Sequence, residues 1–84
     1  MSDQGIDFRP YGQHPGESGV TDVCIREDSL IVRFQNGEVY LYDAERPGSV
    51  HVARMIMHAR ANRGLAGYIS RHVGSNFAQK IKYP

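Results

Sequence analysis

Tyr40 and Tyr42 stand two residues apart in "VYLYD", and Arg33 precedes them across the dipeptide Asn36-Gly37. On an extended strand, residues two apart project from one face. Two phenol rings and a guanidinium on one sheet face make a surface that stacks unpaired bases and holds phosphate. Tyrosine is equally at home as a packing residue of a strand. A second set of cations follows, namely Arg54, Arg60, Arg63, Arg71, Lys80 and Lys82. The last acidic residue of the chain is Glu45, so residues 46–84 carry seven bases and no acid. Residues 1–45 carry nine acids against three bases, so the halves stand at −6 and +7 while the whole chain is +1. Such a split points to an anionic partner, or to halves that neutralise each other on packing. His51, Arg54, His58 and Asn62 recur at helical spacing on one face and form a polar, cationic strip that attracts phosphate whatever the base sequence. His51, His58 and His72 add positive charge below about pH 6.5.

Other chemistries find no constellation. Cys24 is the one cysteine, which excludes an internal disulfide and an all-cysteine metal site. A lone strand cysteine is ordinarily a packing residue, and no histidine is placed beside it. His51 and His58 lie two turns apart, about 10 Å along a helix, too far to share one metal ion. There is no Ser-His-Asp order, no paired carboxylate and no phosphate-cradling glycine loop, so neither catalysis nor a cofactor is expected. No apolar run reaches the roughly 18 residues that span a bilayer. The opening "MSDQGIDFRPYGQHPGES" has no apolar signal-peptide core. A cytoplasmic protein without membrane attachment is the expectation.

The elements that must position these groups read as one small α+β domain. Residues 1–18, rich in glycine, proline and polar groups, read as a flexible tail, and residues 19–84 as the single domain. From Val20 the pattern has a period of two. Val23 and Ile25, Leu30, Val32 and Phe34, and Val39 and Leu41 alternate with polar or aromatic residues, the signal of strands. Asn36-Gly37 suits a two-residue type I′ turn. That turn sets Phe34 opposite Val39, Val32 opposite Leu41 and Leu30 opposite Asp43. Arg33 then faces Tyr40, and Ile31 faces Tyr42, on the other side of the sheet. Glu27-Asp28 turns the first strand into the second and puts Cys24 beside Ile31. The expectation is a three-stranded antiparallel meander packed against one or two helices.

After the loop "RPGS", with Ser49 as N-cap, Val52, Met55, Ile56 and Ala59 fall on one helical stripe. The spacing predicts a helix over 50–63, stopped by Gly64. A second helix over 66–73 turns Leu65, Ile69 and Val73 inward, and Gly74 ends it. "SNFAQKIKYP" reads as a turn anchored by Phe77.

The order of "FQNGEVYLY", then "RPGSVHVARM", then "RGLAGYISRHV" resembles the KTSC domain over about residues 20–80. The family's Y-x-Y falls at Tyr40 and Tyr42. The connector "DAERPGS" departs from the aromatic or small residue and "V-P" segment of many members, and resembles a branch of stand-alone bacterial proteins. The resemblance implies a small bacterial α+β domain, also found as a C-terminal appendage of some lysyl-tRNA synthetases, with RNA as the suggested ligand and no established activity. The expected partner is RNA or another polyanion, gripped by Arg33, Tyr40, Tyr42, Arg54, Arg60, Arg63, Arg71, Lys80 and Lys82. The alternative is a protein-interaction module or homodimer that buries the tyrosine face, since tyrosine and arginine are favoured at such surfaces.

Overall fold

The computed structural model describes residues 6–12 and 19–82. They form an α+β fold with an antiparallel sheet of five strands in sequence order, β1 (Arg9–Pro10), β2 (Val20–Ile25), β3 (Leu30–Phe34), β4 (Val39–Tyr42) and β5 (Gln79–Ile81). Two helices cover one face, α1 (Ser49–Ala61) and α2 (Leu65–Tyr68), the latter running on as a π-helical turn, Ile69–Val73. The three-strand expectation is therefore corrected to five. The meander β2–β3–β4 stands at the centre, and each of its edges gains a short strand.

Both added strands carry weak sequence signals. Pro10 lacks an N–H, which an edge strand tolerates. Its neighbour Arg9 pairs with Val23, and the Tyr11 amide then donates to the Thr21 carbonyl at 3.0 Å. Residues 6–12, read as tail, are thus part of the sheet. Residues 1–5 and 13–18 lie outside the described residues. On the far edge, Tyr40 pairs with Lys80 and Val39 with Ile81.

The hairpin between β3 and β4 sets the faces of the whole sheet. Gly37 donates to the Phe34 carbonyl and the Phe34 amide donates to the Glu38 carbonyl, each at 2.9 Å. Gly37 sits at φ +88°. These bonds define a three-residue loop, Gln35-Asn36-Gly37, with the glycine in the left-handed position such loops require. The Asn36 side-chain oxygen takes the Glu38 amide at 3.0 Å. The register is consequently Arg33 opposite Val39, Val32 opposite Tyr40 and Leu30 opposite Tyr42. One residue of slip turns every side chain of a strand to the other face. Tyr40 and Tyr42 therefore lie on the helix side with Leu30 and Val32, and Arg33 lies on the opposite side. The first turn does follow the expectation, with Cys24 opposite Ile31 and Val23 opposite Val32. A bulge at Thr21 returns Val20, 3% exposed, to the core face opposite Phe34.

The core sits between that face and the helices. Val52, Met55 and Ala59 of α1 and Leu65, Tyr68, Ile69 and Val73 of the second helical segment are buried against Val23, Leu30, Val32 and Tyr42. Ser49 is the first helical residue and not the cap; Gly48 holds the cap position with no side-chain bond. α1 ends two residues before Gly64, on Asn62 in the left-handed conformation (φ +66°), which asparagine adopts readily. Gly64, at φ +84°, precedes α2. The N-terminal segment locks this corner. The Leu65 amide donates to the Tyr11 hydroxyl at 2.9 Å, and the Gly12 amide donates to the Asn62 side chain at 2.8 Å. On the other face, Cys24, Ile31 and Val39 form a smaller cluster against which Ile6, Phe8, Leu41 and Ile81 pack. No helix among the described residues is long and apolar enough to cross a membrane.

Candidate functional site

The open platform of Tyr40, Tyr42 and Arg33 does not exist. Tyr42 is 1% exposed and belongs to the core. Arg33, on the opposite face, pairs with Asp22 at 3.0 Å and lies 4.6 Å above the Phe8 ring. The extra loop residue is the physical reason, because it reverses the parity on which that platform depended. A dimer through the tyrosine face is overturned by the same burial, since the helices already occupy that face.

Tyr40 keeps a role at the rim of the core. Its ring packs at 4.4 Å from Phe77 and edge-on to Phe34 at 5.7 Å. Its hydroxyl donates to Glu38 at 2.7 Å, and Lys80, directly across on β5, pairs with the same carboxylate at 2.9 Å. The Tyr40 bond and then Lys80 hold the Glu38 carboxyl below its ordinary range, while Glu38 in turn raises both the Tyr40 phenol and the Lys80 ammonium. Beside these rings a cleft of about 630 Å³ opens, lined by Phe34, Tyr40, Tyr42, Ile69 and Phe77, with Gln35, Asn36, Ser70 and Ser75 as polar neighbours. Phe77 reaches it because β5 brings the chain back beside β4. At the same end Arg46 donates from Nε to the Asn76 side chain at 3.3 Å.

The helical layer gathers a second group. The strip His51, Arg54, His58 and Asn62 faces the seam between α1 and α2. His51 Nδ1 shares a hydrogen bond with the Tyr68 hydroxyl at 2.7 Å. The rings of His58 and His72 stand 5.3 Å and 4.8 Å from the Tyr68 ring. Three imidazoles thus surround one buried tyrosine. Arg54, Arg63 and Arg71 are exposed along this side, and the Arg71 guanidinium folds back over Gly67. Among the described residues the ion pairs are Arg33–Asp22 and Lys80–Glu38. No described carboxylate lies within 4.0 Å of Arg54, Arg60, Arg63 or Arg71. Two carboxylates, Asp3 and Glu17, fall outside the described residues.

The expected cations do not all converge. Arg60 is six residues beyond Arg54, roughly 120° around the helix, and lines a separate cleft with Asp7, Phe8 and Arg9. Lys82 is exposed just beyond β5. Sequence reasoning left out Arg46, Phe34 and Tyr68 as site residues. Tyr68 was accessible to it, since Leu65, Tyr68 and Ile69 fall at helical spacing. Phe34 and Arg46 were not, because the loop and β5 bring them to the cleft. No group of three or more His, Cys, Asp or Glu among the described residues could hold a metal ion. Comparison with family models, with curated proteins and with solved structures found no match to this chain.

Proposed function

We propose that this domain is a non-enzymatic binding module for RNA or another polyanion, held through the α1–α2 seam. The observation that carries the reading is that Arg54, Arg63 and Arg71 are exposed beside three histidines, with no described carboxylate within ion-pairing distance of the guanidinium groups. Unpaired guanidinium groups retain their full attraction for phosphate and release counterions when they bind it. Lys80 and Lys82 extend the cationic surface along the sheet edge, Lys80 at reduced strength because Glu38 already pairs with it. Arg60 adds long-range attraction from the other flank of α1. The resemblance to the KTSC domain points the same way and is part of the proposal. So are the cytoplasmic setting and the bacterial context.

The test is anisotropy of a labelled single-stranded RNA titrated at rising salt. Contact with Z phosphates gives a log–log slope near −0.7Z. Arg54→Gln and Arg71→Gln should each weaken binding and flatten the slope by about 0.7. Absence of binding at low salt overturns the reading, as does a wild-type slope that neither variant alters.

A further inference from the structure

We propose that the cleft beside β4 receives one unpaired base of a single-stranded RNA, with the Tyr42 hydroxyl donating to an acceptor on the base edge. This rests on the polyanion reading and adds to it a preference for bases over bare phosphate.

Tyr42 carries the argument furthest. Its side chain is 1% exposed and lines the cleft, yet its hydroxyl makes no hydrogen bond to any described residue. A buried donor without an acceptor is destabilising, and such groups are uncommon enough in folded proteins to call for an occupant. The walls say what kind of occupant. Phe34, Tyr40 and Phe77 are aromatic, and flat rings stack on aromatic faces largely without regard to base identity. The volume, about 630 Å³, is that of a small-ligand site. Charge complements a nucleotide and not a neutral ring. Arg46 is bound at Asn76, between the cleft residues Ser75 and Phe77, by a neutral amide that leaves its charge uncompensated. Lys80, the cross-strand partner of Tyr40, stands at the other side, shared with Glu38. These two cations can meet the phosphates that flank an inserted base, and Gln35, Asn36, Ser70 and Ser75 offer further polar contacts.

The experiment compares a short single-stranded RNA with inorganic polyphosphate of matched charge, on the wild type, Tyr42→Phe and Phe77→Leu. A 2-aminopurine placed in the RNA reports stacking. Stacking of one base should make the RNA bind roughly 5- to 150-fold tighter than polyphosphate. Tyr42→Phe keeps the ring in the core and removes only the hydroxyl. Both variants should lose most of that margin while binding polyphosphate as the wild type does, and the 2-aminopurine signal should change on the wild type only. Equal binding of RNA and polyphosphate overturns the inference and leaves the polyanion reading standing. So does a margin that both variants preserve, the result expected if residues 13–18 or a small apolar ligand fill the cleft. Binding of neither probe overturns both.

Discussion

Tyr42 shows how one side chain links the core to solution conditions. Burial raises its phenol above the usual tyrosine value, and the neighbouring Tyr40 adds to the effect. Tyr11 is raised too, by burial, against the opposing bond from the Leu65 amide. A folded-state value above the unfolded one means that folding favours the neutral phenol. Its contribution is complete below the unfolded value, near pH 10, and is lost as pH rises beyond it. Denaturant midpoints should therefore hold level to about pH 9.5 and fall steeply above it, and Tyr42→Phe should make that fall shallower. A midpoint independent of pH up to 11 would contradict the burial of these phenols. From sequence alone Tyr42 was legible as a strand residue paired with Tyr40 by period. Its burial was not, because alternation names two faces without saying which is covered.

The decisive element is the β3–β4 hairpin. Asn36-Gly37 is compatible with a two-residue loop and with the last two positions of a three-residue one, and both need positive φ at Gly37. The choice between them rests on where the flanking strands find their best burial. Here it places Tyr42 over α1 and the π-helical turn, and gives the outer face to Val39 and Leu41. Deleting Gln35 should force the two-residue turn and reverse β4. Tyr42 would leave the core and Leu41 would enter it. Far-UV dichroism and urea titration should show loss of a cooperative transition, and retention of a wild-type midpoint would refute this account of the register. The helices were easier to read, since Val52, Met55 and Ala59 recur at 3.6-residue spacing and are all buried. β1 and β5 were not legible. Each is two or three residues long, and their pairing is supplied by the neighbouring strand more than by their own pattern.

At the scale of the whole molecule, folding leaves the charge split of the chain only partly neutralised. Asp22 and Glu38 each take one cation, while Arg54, Arg63 and Arg71 remain beside the His51, His58 and His72 cluster. Imidazoles take up protons below about pH 6.5, so acidification adds positive charge to the seam. At constant ionic strength, moving from pH 8 to pH 5.5 should tighten RNA binding by roughly tenfold or more and steepen the salt slope by about 0.7 for each added phosphate contact. Replacing all three histidines with glutamine should remove the dependence. An unchanged slope across this range would separate the cluster from the binding surface.

What the amino-acid order settled by itself is the kind of parts: alternating strands, one amphipathic helix and a cationic second half. These follow from short-range periodicity and from charge, which no packing alters. What only the tertiary structure decided is the inward face of β4 and the identity of the cations left without a partner. Face depends on the parity of a loop, and pairing depends on distances through space, and neither quantity is carried by local spacing along the chain.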